Sequence, residues 1–138
     1  MDLLKELNEP QRQAVQATDG PVLMLAGAGS GKTKALTHRI AYLVADKKVS
    51  PTEILAVTFT NKAAGEMRER VLKLLGQSPT NRSFLPFMGT FHSICVRLLK
   101  REAEHLELPA NFVIFDSADS LSAIKQAMRS LGISEKED

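Results

Sequence analysis

The chain is poor in the residues that build disulfide frameworks and metal sites. It has one cysteine, Cys95, and three histidines among 138 residues. A single cysteine excludes an intramolecular disulfide, and so few histidines argue against a Cys/His metal site. The sequence therefore fits a reducing compartment, and we expect the protein to be cytoplasmic.

Long apolar segments and a large net charge are also lacking. The longest apolar stretch, near residues 21–29, is far shorter than the roughly 20 residues that a membrane span requires. The N-terminus has no basic region followed by an apolar one, so we predict no secretory signal and no membrane partner. The net charge is +2, so a nucleic-acid surface would have to come from local clustering. Hydrophobic residues at 43% and charged residues at 25% exclude a disordered or fibrous chain.

The apolar residues that are present alternate between strand-like and helix-like patterns. Short buried strands are predicted at Val22–Ala26, Ile54–Thr58 and Phe87–Gly89. Helical spacing predicts helices over residues 36–44, 63–75, 91–106 and 121–131. We expect Thr60 or Asn61 to cap the second of these helices and Gly76 to end it, and Asp116 or Ser117 to cap the last one. Phe91 falls on an apolar helix face and is predicted to be core. This alternation predicts an α/β fold with a parallel sheet flanked by helices.

A glycine-rich segment lies between the first predicted strand and the first predicted helix. Its residues are Ala26, Gly27, Ala28, Gly29, Ser30, Gly31, Lys32 and Thr33. Small residues let backbone N–H groups point at a phosphate chain, and the helix start adds partial positive charge. Lys32 would contact the β- and γ-phosphates of a nucleoside triphosphate, and the Thr33 hydroxyl would bind Mg²⁺. Ala26 stands where the strict pattern has glycine, and the alternative interpretation is an ordinary glycine-rich turn.

Three further segments accompany this phosphate loop in a fixed order: Leu7–Val15, Ala56–Ala64 and Gly89–Ser93. Together the four segments closely resemble the N-terminal region of UvrD/PcrA/Rep-type superfamily 1 DNA helicases, over essentially the whole chain. The resemblance implies an incomplete P-loop NTPase (RecA-like) sheet. It also implies that residues 1–111 are the N-terminal part of the first motor domain, and that residues 112–138 begin an inserted helical subdomain.

The resemblance assigns two more residues to the nucleotide. Gln11 matches a glutamine that reads the adenine edge, where a carboxamide offers both a donor and an acceptor. The residue after the Mg²⁺-binding threonine is usually an arginine that stacks on adenine, but here it is Lys34, which lacks a planar group. The alternatives are an exposed helix glutamine and a solvated lysine.

The resemblance also implies contacts with single-stranded DNA. They fall on Thr58, Phe59 and Asn61 in one motif and on Thr90 and His92 in the other. Hydroxyl and amide groups can bond phosphate oxygens, and a base stacked on Phe59 would contribute ~1–3 kcal/mol. The alternatives are a core phenylalanine at Phe59 and a structural or surface histidine at His92.

The resemblance implies that the parent protein is an ATP-dependent helicase that moves 3′ to 5′ on single-stranded DNA in repair or replication. Its implied partners are duplex junctions, the remainder of the helicase chain and accessory repair proteins. After Thr33 no Asp-Glu pair ends an apolar strand, although hydrolysis needs an acid to position Mg²⁺ and water. We therefore expect a fragment that is not catalytically competent alone. The alternatives are a stand-alone P-loop nucleotide-binding module and a small P-loop kinase.

Overall fold

The computed structural model describes residues 2–81, 83–109 and 111–133. Contacts divide the chain into two compact units, Met1–Leu98 and Leu99–Asp138, with the boundary inside a helix. The described residues form a mixed α/β arrangement. Its elements are α1 (Glu9–Gln16), α2 (Lys32–Ala45), a short 3-10 helix (Pro51–Glu53), β1 (Ala56–Thr58), α3 (Asn61–Leu74), β2 (Met88–Thr90), α4 (Phe91–Arg101) and α5 (Ser117–Ser130).

The sheet of the first unit consists of β1 and β2, which run parallel with α3 between them in the chain. Val57 lies opposite Gly89, and Thr58 lies opposite Thr90. The predicted parallel pairing flanked by helices is therefore confirmed. β1 is shorter than the predicted strand, because Ile54 and Leu55 precede its paired residues. β2 has the predicted length but begins and ends one residue later than predicted.

The predicted strand at Val22–Ala26 is wrong. This segment has no regular secondary structure, and no strand among the described residues pairs with it. Leu23 and Leu25 remain 82% and 87% exposed. An apolar run supplies the side chains of a buried strand, but the strand itself requires a neighbouring backbone to complete its hydrogen-bond ladder.

The predicted helices are present, and local capping explains where several of them begin and end. Thr60 caps α3 and Asp116 caps α5, each accepting a hydrogen bond from a first-turn N–H. Gly76 has φ +65°, which suits the end of α3. The prediction of helix as far as Leu106 is too long, because α4 ends at Arg101 and turns follow.

The core of the first unit joins α2, α3 and the sheet. Its buried members are Ile40, Ile54, Ala56, Met67, Val71, Leu85 and Met88. Phe91 is not among them, contrary to prediction, and is 60% exposed. The first position of α4 points this ring outward, and the inward position is taken by Ile94 one turn later. The core therefore packs the bodies of α2 and α3 against the sheet.

The second unit contains α5, which Asp116 caps through the backbone N–H groups of Ala118 and Asp119. Leu121 and Ile124 on this helix are exposed. The predicted domain boundary between residues 111 and 112 stays a prediction, and residues 134–138 of that predicted subdomain lie outside the described residues. Across the described parts of both units, every helix is too short or too polar to cross a bilayer.

Candidate functional site

The start of α2 differs from the starts of the other capped helices. Asn8, Thr60 and Asp116 cap α1, α3 and α5 with side-chain oxygens. By contrast, α2 begins after Gly31, which has no side chain to accept a hydrogen bond, and within the described residues no side chain caps it. Its first-turn N–H groups are therefore available to an anion, where the helix dipole adds favourable potential.

The glycine-rich loop closes on itself in front of this helix start. The Ser30 hydroxyl donates to the Gly27 carbonyl oxygen at 2.7 Å. The Lys32 ammonium reaches back and donates to the carbonyl oxygens of Ala26 at 2.8 Å and Gly27 at 2.7 Å. An ammonium has three donors, so Lys32 retains one for another acceptor. Thr33 and Ala28 are exposed beside it.

Gln11 lies directly against this loop. Its Nε2 donates to the Ser30 carbonyl oxygen at 3.0 Å, and its Oε1 accepts from the Asn8 backbone N–H at 3.2 Å. These two bonds orient the carboxamide, while its second N–H and second lone pair stay available for a ligand. The structure thus brings together the sequence-predicted Gln11 and the phosphate loop, which are far apart in the chain.

Lys34 is directed toward the N-terminal segment. Its ammonium donates to the Glu6 carbonyl oxygen at 2.6 Å and lies 3.9 Å from the Glu6 carboxylate. This pairing uses the cation to hold residues that precede α1. Lys34 therefore has a structural partner in addition to any contact with a nucleotide.

A cavity of about 450 Å³ lies beside these groups. It is lined by Asn8, Gln11, Met24, Ser30, Gly31 and Lys32, among others. Its volume falls within the ~300–1,000 Å³ that small-molecule sites span. The cavity has an apolar side suited to a planar ring and a polar end at the loop, which suits a phosphorylated nucleoside.

The residues predicted to meet DNA cluster at the carboxyl ends of the two parallel strands. Thr58 and Thr90 are register partners, so the two motifs lie side by side. Phe59 follows β1 and is 100% exposed, which rules out the core alternative for this ring. His92 is exposed, and its ring meets that of Phe91 edge-on at 6.4 Å between centroids.

A second, more polar cavity of about 550 Å³ opens at these strand ends. Asn61, Gly89, Thr90 and Ser93 line it, together with Arg68 and Arg97. The sequence shows these two arginines only as part of a basic stretch between Lys62 and Arg101, which is typical of a solvated face. The Thr90 hydroxyl accepts from the Ser93 backbone N–H at 3.2 Å. Sequence reasoning missed the exposed ring of Phe91, for which its place directly after a strand was the available signal.

The described residues contain no cluster of three or more His, Cys, Asp or Glu side chains that could hold a metal ion. The exposed Thr33 hydroxyl oxygen is the ligand that the phosphate loop offers to a metal cation. One hydroxyl suits a Mg²⁺ ion that takes most of its ligands from phosphates and water. The chemistry of this site therefore fits a metal that arrives with a nucleotide.

Comparison with known proteins agrees with this geometry. The UvrD/REP helicase N-terminal domain family matches residues 7–138. The chain is 51% identical to the ATP-dependent DNA helicase PcrA of Staphylococcus aureus (strain COL) and 52% identical to that of Bacillus subtilis (strain 168), each over 134 residues. These alignments cover 97% of this chain but 18% of each relative. The chain therefore belongs to the UvrD/REP helicase N-terminal domain family.

Proposed function

We propose that this chain is the ATP-binding part of an ATP-dependent DNA helicase that moves 3′ to 5′ along single-stranded DNA. Family membership and the names of the PcrA relatives support the proposal. The observation that carries it is the uncapped start of α2, with the Lys32 ammonium folded onto the loop in front of it. The same observation supports a P-loop NTPase fold around the two-stranded sheet.

The nucleotide would lie with its phosphates in the loop from Ala26 to Thr33 and its base in the adjoining cavity. Lys32 would exchange its carbonyl partners for β- and γ-phosphate oxygens, which are stronger acceptors because they are charged. Gln11 is hydrogen-bonded to the Ser30 carbonyl oxygen of the loop. Its remaining donor and acceptor would bond the adenine edge. Mg²⁺, when bound, would neutralise phosphate charge, with Thr33 as its protein ligand.

Single-stranded DNA would cross the carboxyl ends of β1 and β2. The exposed ring of Phe59 offers a stacking surface, and the exposed side chains of Asn61 and His92 offer hydrogen-bond donors to phosphates and bases. Thr58 donates its hydroxyl to the Thr60 carbonyl oxygen at 3.1 Å and would exchange that partner for DNA, whereas Thr90 is buried and would be reached from the cavity that it lines. ATP binding and DNA binding would thus use neighbouring ends of one core. The parent protein would act in the cytoplasm on duplex junctions, with the remainder of the helicase chain and with accessory repair proteins.

The chain by itself would bind nucleotide and hydrolyse it negligibly. The sequence after Thr33 contains no Asp-Glu pair at the end of an apolar strand, and such a pair is needed to position Mg²⁺ and the attacking water. Robust ATPase activity of this chain, stimulated by single-stranded DNA, would contradict this part of the proposal. Transfer of phosphate to a small acceptor would instead favour a kinase.

The test is titration of the chain with a fluorescent ATP analogue and Mg²⁺. Lys32→Ala should weaken binding at least about tenfold, because a charge-assisted hydrogen bond contributes about 1.5–3 kcal/mol. Lys73→Ala, which removes an exposed lysine from the last turn of α3, is the charge-matched control and should bind as the wild type does. Equal affinity of Lys32→Ala and wild type would overturn the proposal.

A further inference from the structure

Two arginines without a role in the proposed function hold the segment that enters β2. Arg68 on α3 donates from Nη1 to the Leu85 carbonyl oxygen at 2.8 Å and from Nη2 to the Met88 carbonyl oxygen. Arg97 on α4 donates from Nη1 to the Pro86 carbonyl oxygen. The Phe87 carbonyl oxygen accepts from the Ala56 backbone N–H at 3.0 Å. Every carbonyl from residue 85 to residue 88 therefore has a donor.

This segment depends on side-chain donors because the sheet supplies few. β2 has three residues and one neighbouring strand, so most of the preceding segment lies outside the ladder. Leu85 and Met88 are buried. If a carbonyl near them loses its hydrogen-bond donor, water cannot replace that donor, and the structure is destabilised by the desolvation penalty of the unpaired oxygen. The rigid fork of a guanidinium can hold two carbonyls in a fixed relation, which a lysine cannot do.

Arg68 connects the two candidate DNA segments, whereas Arg97 holds the same β2 entry segment from the helix that follows β2. Arg68 lies two helical turns beyond Asn61, on the helix that follows β1, but it holds the residues that precede β2. Arg97 lies two turns beyond Thr90, on the helix that follows β2. Both line the 550 Å³ cavity between Asn61 and Thr90. Guanidinium bonds to backbone thus tie the segment that enters β2 to α3 through Arg68 and to α4 through Arg97.

We propose that Arg68 and Arg97 are positioning residues that fix the spacing between the start of α3 and the end of β2, so that one single strand engages both segments. This inference rests on the proposed DNA-binding function. A guanidinium carries five N–H donors, so direct contact with a phosphate is the alternative, which salt dependence distinguishes. In this proposal the arginines act through Asn61 and Thr90. Their role is consequently geometric, and their removal would misalign two contacts without removing a phosphate ligand.

The test measures binding of fluorescein-labelled oligothymidylates of two lengths: one that spans both segments, and one too short to do so. Arg97 is exposed, so Arg97→Met is the main variant, with Arg68→Lys as the second. Each should weaken binding of the long oligonucleotide about tenfold, because misalignment would cost about one hydrogen bond from an uncharged side chain to a phosphate, and leave the short one nearly unchanged. Arg70→Met is the matched control, because Arg70 also lies on α3 but pairs with Glu66 on the surface.

Salt dependence separates positioning from direct phosphate contact. A positioning residue leaves the slope of log affinity against log salt unchanged, whereas a lost phosphate contact reduces it by about 0.7 for single strands. A reduced slope, or equal losses for both oligonucleotides, would overturn the inference. So would unchanged affinity for the long oligonucleotide. Retained affinity for ATP and Mg²⁺ would show that the variants are folded.

Failure of the proposed function would look different. In that case the wild-type chain would bind neither oligonucleotide at low salt, and the inference would fall with it. If the wild type binds both and Arg97→Met behaves as the Arg70→Met control does, the proposed function stands and the positioning role is wrong.

Discussion

At the residue scale, the nucleotide site depends on one position that has no side chain. Gly31 has φ +85°, in the left-handed region that favours glycine. A Cβ built on it would lie 2.5 Å from Gln11 Nε2. Gly29 shares the left-handed backbone, with φ +73°, but a Cβ there would have no neighbour within 4 Å. Substitutions at the two glycines therefore distinguish the effect of backbone strain, which both share, from the effect of a clash with Gln11, which occurs only at Gly31.

Gly31→Ala should impair the site more than Gly29→Ala does. Both variants incur the left-handed penalty of about 1–2 kcal/mol, but alanine at position 31 must also displace the carboxamide of Gln11. We expect both to lower the free energy of unfolding by similar amounts, and Gly31→Ala to lose more affinity for ATP. Thermal unfolding and nucleotide titration measure the two effects. Equal ATP affinities of the two variants would contradict the role given to Gln11.

At the element scale, α2 anchors the segment that carries Gln11. Arg39 donates from Nη1 to the carbonyl oxygens of Ala14 and Ala17, each at 2.5 Å, at the end of α1. His38, which is buried, lies with Nδ1 2.7 Å from the Leu3 carbonyl oxygen, and Lys34 bonds that of Glu6. A cation at a helix C-terminus also interacts favourably with the dipole. The helix that presents the phosphate loop thus also holds α1.

Arg39→Met should loosen α1 while leaving the main core intact. Two carbonyls would lose a charged donor, and such hydrogen bonds contribute about 1.5–3 kcal/mol each. We expect faster amide hydrogen exchange in α1 and weaker ATP binding, with exchange in α3 unchanged. Arg70→Met provides a matched control in both measurements. Unchanged exchange in α1 would show that packing alone holds this helix.

The elements also show which parts of the fold the sequence could predict. The helices follow from local apolar spacing, and the Thr60 and Asp116 caps follow from residue type at the helix starts. Both signals are local, so the sequence alone predicts them. The Val22–Ala26 segment was mispredicted because strand formation depends on a partner that the apolar pattern does not specify. The phosphate loop was visible as a motif. The carbonyl contacts of Lys32, Lys34, Arg68 and Arg97 were not, because they join residues brought together by tertiary packing.

At the scale of the whole molecule, apolar surface remains exposed beside the nucleotide cavity. Leu23 and Leu25 are exposed in a segment that has the residue pattern of a strand, and Leu55 and Val57 are exposed on and beside β1. Backbone groups without a ladder partner can pair with another chain. The net charge of +2 supplies little repulsion against such pairing.

The chain should therefore self-associate as its concentration rises. Sedimentation velocity should show species larger than a monomer, and the double variant Leu23→Lys/Leu25→Lys should shift the population toward monomer, because charged side chains on an edge oppose pairing. Leu131→Lys is the control, because Leu131 is also exposed but lies in the second unit. It adds one positive charge, against two in the double variant, and should leave association unchanged. If the chain stays monomeric at every concentration, the exposed leucines do not mediate association between chains. Leu131→Lys reducing association as much as the double variant does would show that charge, rather than the 22–26 segment, controls it.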